Sequence, residues 1–375
     1  MSVQPVVAHA PTHSLRGHNF SAGPGALPTE VLEEVRSELL SYRDADASIV
    51  EISHRSPQYT DVHEGAKARM RSLLGIGDEW HVLFLQGGAS LQFHQVPLNF
   101  LPPGGRADYL DTGNWSAKAI VEAETVARAR AAQAVTAASS RDADYTFIPG
   151  PSERTLSPNA AYVHFTSNNT IYGTQYATEP DAEAPLVCDA SSDFLSRPID
   201  MSRYGLIYAG AQKNLGPAGA TVVLVHDDFL QTRQSDLPTL LDYGTHAKKL
   251  FHTPPVFSVY VLGKVLGWIE RHGGLAGMQT RNAAKATTLY AAIDTSDFYR
   301  GTARPDSRSL MNVTFRLPSE KLEARFVAEA TAERLLALKG YRTVGGVRAS
   351  IYNAVSPESV DTLVSFMERF EADNG

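Results

Sequence analysis

Three short stretches of this chain combine residue types that can do chemistry. The first is Gly87-Gly88-Ala89-Ser90, which follows the apolar run His81 to Leu85 and precedes a helical stretch. Glycines let a chain turn tightly after a strand. The N–H groups at the start of the next helix, with the helix dipole, then form an anion site that suits a phosphate. A Gly-Gly turn also serves structure alone. The second is Asp189, which closes the run Pro185-Leu186-Val187-Cys188-Asp189; a carboxylate there can hold a cationic N–H or simply cap a turn. The third is Ala209 to Asn214, followed by Gly216-Pro217-Ala218-Gly219. A lysine held at a sheet edge among small residues, here Lys213, is partly desolvated, which lowers its pKa and makes its amine a nucleophile toward a carbonyl carbon. On spacing alone Lys213 reads first as a solvated surface lysine.

Such residues need a scaffold that lines up strand ends. Helical and extended patterns alternate along most of the chain, which predicts an α/β fold with a mainly parallel sheet covered by helices on both faces. Pro28 and the acidic residues after it open a helix with Val31, Leu32, Val35 and Leu39 on one face. A second helix is expected from about Pro57 to Leu74, with Val62, Ala66, Met70 and Leu73 inward, and another around Trp115 to Val126. Short apolar runs at His81–Leu85, Asp108–Asp111, Tyr162–Thr166, Pro185–Asp189, Leu206–Ala209 and Thr221–Val225 read as strands buried on both faces. The Ala-rich patch from Ala127 to Ala138 reads as a strand and its linkers. From about Pro255 the texture changes: helices at Val259–Arg271 and Leu275–Ile293, a strand at Met311–Leu317, a helix at about Leu322–Lys339, a strand at Val347–Tyr352 and a closing helix from Pro357. This predicts a smaller α+β C-terminal domain joined to the larger one by a long helix.

Composition narrows the function. The chain has 375 residues, 43% of them hydrophobic and 20% charged, which describes an ordinary globular protein with ample core. Lys and Arg number 34 and Asp and Glu 41, so the net charge is 34 − 41 = −7, and scattered cations offer no footprint for nucleic acid. One cysteine, Cys188, excludes an internal disulfide and any multi-thiolate metal site. No metal motif, P-loop or complete dinucleotide turn is present. The uncharged, apolar-leaning run between Lys249 and Lys264 is too short and polar to span a bilayer. Residues 1–17 lack the basic start and apolar run of a signal peptide and read as a disordered extension. A cytoplasmic protein is expected, with neither nucleic-acid nor membrane partner.

Together, a phosphate cradle, a carboxylate and a lysine at successive strand ends are what pyridoxal 5′-phosphate needs. Here the chain resembles the phosphoserine aminotransferases, a family of fold type I, class V pyridoxal-phosphate enzymes. The resemblance runs from Phe20-Ser21-Ala22-Gly23-Pro24 almost to the C-terminus. Its most specific blocks are Ile52-Ser53-His54-Arg55, Gly87 to Ser90, Leu195-Ser196-Arg197-Pro198-Ile199-Asp200, Tyr208 to Gly219, Thr253-Pro254-Pro255 and Val344 to Ala354. It implies a large cofactor-binding domain, residues 29–272, with a seven-stranded type of sheet. It further implies a small domain, 273–375, with residues 18–28 packing against it.

The resemblance also implies residue roles. Lys213 would carry the cofactor and shuttle the proton. Asp189 would pair with the ring nitrogen, Trp115 would stack on the ring and Thr170 would bind near the ring hydroxyl. Ala89, Ser90 and Gln212 would hold the phosphate, joined by His252 and Thr253 from the other chain of a homodimer. Arg348 would fork the substrate α-carboxylate, and His54 and Arg55, with Tyr341 and with Arg342 from the partner subunit, would face the distal anion. Tyr341 and His252 depart from the family, which commonly has His and Asn there. The implied reaction passes the amino group of L-glutamate to 3-phosphohydroxypyruvate, forming O-phospho-L-serine and 2-oxoglutarate in serine biosynthesis. It leaves open 4-phosphohydroxythreonine, in vitamin B6 synthesis, as a further substrate. The competing readings are a serine- or alanine-glyoxylate-type class V aminotransferase, a pyridoxal-phosphate lyase such as a cysteine desulfurase, and a non-catalytic binding protein.

Overall fold

A computed structural model describes residues 16–375. The expected N-terminal extension, 1–17, lies outside the described residues except for Arg16 and Gly17. The Arg16 guanidinium donates to the Leu27 carbonyl at 3.3 Å and the Thr29 hydroxyl at 2.5 Å.

The chain opens with a two-residue strand, β1 (His18–Asn19), then helices α1 (Thr29–Glu38) and α2 (Pro57–Leu74). α2 starts where the Ser56 hydroxyl accepts from the Tyr59 N–H with Pro57 in the first turn, and ends at Gly75, whose φ of 64° suits glycine. Strand–helix units follow: β2 (Trp80–Leu85), α3 (Gly88–Phe100), β3 (Arg106–Asp111), α4 (Asn114–Ala129), β4 (Gln133–Ser139) and β5 (Val163–Thr166). A small hairpin, β6 (Asn168–Asn169) and β7 (Thr174–Gln175), precedes β8 (Leu186–Asp189), β9 (Tyr204–Gly210) and β10 (Thr221–His226). Next come α5 (Asp227–Gln231), α6 (Tyr243–Lys248), α7 (Val256–Arg271) and α8 (Gly274–Asp294). The last part holds β11 (Arg300–Gly301), β12 (Asn312–Arg316), α9 (Glu320–Ala332), β13 (Leu335–Leu336), β14 (Val347–Ser350) and α10 (Pro357–Asn374).

Seven strands form the central sheet in the order β2-β10-β9-β8-β5-β3-β4. All pairings are parallel except the two made by β10, which is antiparallel to both β2 and β9. β2 therefore runs the same way as β9, and the C-terminal ends of β2, β9, β8, β5 and β3 share one edge. Side chains alternate across this sheet as the strand period requires. Val82, Phe84, Ile207, Val222 and Leu224 enter a core with Val31, Ala66, Leu262 and Leu266. Leu83, Leu85, Leu206, Tyr208 and Val223 enter the opposite core with Phe93, Val96, Ile120 and Ala123. A third core joins Phe20 to Leu289, Phe315, Phe326, Ala349 and Phe366 around β12 and β14.

The structure differs from expectation in three places. The helix expected to reach Lys339 stops at Ala332. Arg334 and Ala337 take left-handed φ values of 66° and 64°, and Leu335–Leu336 pair in parallel with His18–Asn19, a partner too remote for any local pattern to announce. The strand expected over Val347–Tyr352 ends at Ser350, because the Ile351 and Tyr352 carbonyls turn toward Lys285. Leu39 follows the last turn of α1 and is 39% exposed rather than inward.

Two buried histidines make stability fall in acid. Burial holds His164 down at about 3 and His63 at about 4, against an ordinary value of 6.5. Because the folded pKa is the lower one, the unfolded chain binds more protons below pH 6.5. Stability is therefore lost as pH falls from 6.5 toward 3–4, by ~1.4 kcal/mol per pH unit for each group. The urea midpoint should fall between about pH 6.5 and pH 5, and His164→Gln should flatten that slope. An unchanged slope in the variant would show that His164 does not titrate as described.

Candidate active site

Lys213 sits in the turn after β9, where the chain leaves the sheet edge. Its Nζ donates to the Thr170 hydroxyl at 2.8 Å and lies 5.4 Å from the centre of the Trp115 ring. Burial lowers the pKa of this amine; Asp189 pulls it back up and Arg348 pushes it further down. The N-terminal segment closes over the turn. The Gly25 N–H donates to the Gln212 carbonyl at 2.7 Å, and a Cβ on Gly25 would stand only 2.6 Å from the Lys213 carbonyl. Only glycine allows that approach.

Asp189 ends β8 and is buried. One carboxylate oxygen accepts from the Ser191 N–H at 3.0 Å and its hydroxyl at 2.6 Å, which leaves the other for a cationic N–H partner. The Ser191 hydroxyl in turn accepts from the Gly210 N–H at 3.1 Å, tying the end of β9 to the carboxylate. Burial pushes the Asp189 carboxyl up, while Lys213 and the Ser191 bonds hold it down.

Thr170 follows β6 and links two of these groups, since its carbonyl accepts from Arg348 Nη1 at 3.2 Å while its hydroxyl meets Lys213. Arg348 comes from β14. Its remaining N–H groups are free for a carboxylate, and its Nε is buried without a partner. Trp115 lies in the first turn of α4. There the Ser116 hydroxyl accepts from the Thr112 and Gly113 N–H groups, each at 2.9 Å. Ala89 and Ser90 occupy the first turn of α3, where Gly87 and Gly88 have φ of 88° and 66° and no side chain caps the helix. That turn's N–H groups stay available to an anion. Gln212 lies against Gly210, where a Cβ would meet its amide oxygen at 2.7 Å.

Lys213, Thr170, Trp115, Asp189 and Arg348 thus converge at one sheet edge. Two other expected site residues do not join them within one chain. His54 and His252 line a separate cavity of about 320 Å³ with Tyr59, His63, Lys67 and His246. Thr253, Arg55 and Arg342 are exposed. Tyr341 is half-buried and close enough to Arg348 and Tyr172 to act on both electrostatically.

Several residues that shape the site carry no mark in the sequence reading. Ser191 could have been found, since a serine two residues after an aspartate commonly returns a hydrogen bond to it. Asn169, whose amide donates to Thr112 at 3.2 Å and Thr174 at 3.0 Å, is identified only by its tertiary contacts.

The chain is also similar to known proteins over nearly its whole length. The family model for aminotransferase class-V matches residues 18–363. A phosphoserine aminotransferase of Desulfatibacillum aliphaticivorans is 54% identical over 364 residues, covering 96% of this chain and 99% of that protein. Among solved structures, a phosphoserine aminotransferase from Bacillus circulans subsp. alkalophilus matches with a TM-score of 0.92 and 50% identity, over 96% of this chain and 99% of that one. A pyridoxal-phosphate-bound phosphoserine aminotransferase from Trichomonas vaginalis matches with a TM-score of 0.91 and 39% identity, over 94% of this chain and 100% of that one.

Proposed function

Because the chain belongs to the class V aminotransferases, we propose that it is a phosphoserine aminotransferase that uses pyridoxal 5′-phosphate held at Lys213. It transfers the amino group of L-glutamate to 3-phosphohydroxypyruvate, giving O-phospho-L-serine and 2-oxoglutarate. The observation that carries this reading is the convergence of Lys213, Asp189, Trp115 and Arg348 at one sheet edge, beside the uncapped first turn of α3.

The leftover polar atoms fit that cofactor. Asp189 keeps one oxygen for a ring N–H, Trp115 presents a half-buried indole for stacking, and Ala89 and Ser90 offer unpaired N–H groups to a phosphate. Buried polar atoms without protein partners, Trp115 Nε1, Asn169 Oδ1 and Arg348 Nε, lie among these residues. Each orphaned atom costs free energy unless a bound group satisfies it.

When bound, pyridoxal phosphate supplies the carbonyl carbon that takes up the amino group and a ring that spreads carbanion charge. Asp189 would hold a proton on the ring nitrogen. Lys213, its amine loosened from its proton by burial, would hold the cofactor and move the proton on and off the substrate Cα. Arg348 fixes the α-carboxylate through a planar fork and so sets which face of Cα meets Lys213. Both substrates carry a second anion, for which His54, Arg55, Tyr341 and Arg342 are the proposed ligands. Tyr341 contributes a hydroxyl hydrogen bond there.

We also propose a homodimer in which the partner subunit's His252 and the partner subunit's Thr253 reach the cofactor phosphate. The separation of these residues from Lys213 within one chain supports this, as do the neighbouring Leu250 and Phe251, 40% and 43% exposed. Among the described residues no helix is long and apolar enough to cross a membrane; a cytoplasmic location is proposed.

The desulfurase reading has no support, because Cys188 is buried within β8 and burial pushes its thiol well above the usual range. The test is a substrate comparison. Purified protein should form 2-oxoglutarate beyond one equivalent per active site only when glutamate and 3-phosphohydroxypyruvate are both supplied. Equal turnover with glyoxylate or pyruvate would overturn the assignment.

A further inference from the structure

A buried polar chain runs from α8 to the turn that bears Lys213, and none of the roles above uses it. Lys285, on α8, is 1% exposed, and its Nζ donates to the carbonyls of Ile351 at 2.8 Å, Tyr352 at 2.7 Å and Val355 at 3.0 Å. Three acceptors match the three N–H groups of an ammonium; a neutral amine would turn its lone pair toward one of them. Burial and then Arg281 push the pKa of this amine down, and what holds the charge against them is the set of three carbonyl dipoles. One turn earlier on the same helix, Asn282 Nδ2 donates to Asn353 Oδ1 at 2.7 Å.

Asn353 makes the connection to the catalytic turn. Its N–H donates to Asn214 Oδ1 at 2.9 Å and its Nδ2 to the Leu195 carbonyl at 2.9 Å, while Asn214 Nδ2 donates to the Phe194 carbonyl at 2.8 Å. Asn214 is the next residue after Lys213. Residues 351–355 follow directly on β14, which carries Arg348. Asn214, Asn282 and Asn353 are all buried. Burying an ammonium without a carboxylate costs several kcal/mol, and an unbranched apolar side chain would fill the same space without the charge but would leave three carbonyls without this donor. What the ammonium contributes is geometry: three carbonyls held at fixed positions, and through them the course of the segment that follows Arg348.

We infer that Lys285 and Asn282 are positioning residues for the reaction: through the 351–355 segment and Asn353 they hold the strand that bears Arg348 in fixed register with the turn that bears Lys213. The distance between the carboxylate anchor and the proton-carrying amine is then set by this buried link together with the bridge through Thr170, rather than by the exposed loops around them. This rests on the roles of Lys213 and Arg348 given above.

The test uses the holoenzyme with Lys285→Met and Asn282→Ala, the second leaving the ammonium in place should the first fail to fold. Three quantities are measured for each: the absorbance–pH titration of pyridoxal phosphate attached at Lys213, kcat and KM for glutamate, and thermal stability. A loosened link misplaces reacting groups by fractions of an ångström to about 1 Å, so kcat/KM should fall about 10- to 100-fold. The loss should lie mainly in kcat, and the titration midpoint should move. Variants that lose thermal stability but keep the wild-type titration midpoint and kcat would overturn the inference, leaving the network a purely structural one. Failure of the underlying reading would look different: the unaltered protein itself would show no pyridoxal-phosphate absorbance and no borohydride-stable attachment at Lys213.

Discussion

Lys213→Ala should yield a folded protein that transfers no amino group at a measurable rate and forms no borohydride-stable attachment to pyridoxal phosphate. The reason is that one amine is asked to do two jobs. In the proposed mechanism it is both the nucleophile that holds the cofactor and the base that carries the proton at the substrate Cα. Loss of a positioned proton carrier alone costs about 10²- to 10⁴-fold. Folding should survive, because the side chain is only half-buried and makes a single hydrogen bond, to Thr170. Removing a desolvated amine of this kind should change stability by about 1 kcal/mol or less. The check is single-turnover kinetics alongside the absorbance spectrum and peptide mass after reduction. Full turnover in the variant would end the mechanism proposed for this chain.

Asp189→Asn is expected to be nearly as damaging, and it isolates charge from shape. The asparagine oxygen can still accept from Ser191, which holds one oxygen of Asp189 at 2.6 and 3.0 Å. Its NH₂ group, however, would then face the protonated ring nitrogen donor to donor. Breaking one side of a buried ion pair costs about 3–5 kcal/mol, and at about 1.4 kcal/mol per factor of ten turnover should fall about 10²- to 10⁴-fold. Asp189→Ala should lose a similar amount and also free the Ser191 hydroxyl, which otherwise bridges Asp189 and the Gly210 N–H. Rates for both variants across pH distinguish an electrostatic loss from a misfolded site. An Asp189→Asn enzyme within about threefold of the unaltered rate would remove Asp189 from the role assigned to it.

Much of the candidate site could be read before any coordinates. Gly87–Ser90, Asp189 and Lys213 each terminate a short apolar run, and chain order alone places them after β2, β8 and β9. Strand, glycine turn and helix are local patterns, set by the period of apolar residues and by turn chemistry within a few positions. The helix α2 shows how far this goes, since Ser56, Pro57 and Gly75 mark both its ends in the sequence. The resemblance to a family supplied what periodicity could not, namely which arginine is to bind a carboxylate.

The rest depends on contacts between remote segments. Nothing near Leu335 announces its parallel pairing with His18, so the preceding helix was expected to run several residues too far. Nothing near Lys285 marks it as more than a helix-face lysine, yet three carbonyls from a loop some 70 residues later enclose it. By itself the sequence determined the seven strands of the central sheet and the three groups placed at strand ends. Parallel strands carry their C-terminal ends to the same side, only β10 in this sheet running the other way, and local periodicity is enough to find these strands. Tertiary structure alone decided that Arg348 reaches Thr170 and that His54 and His252 stand apart from Lys213 within one chain. Those distances are set by how whole layers pack across long connections, and no run of neighbouring residues encodes them.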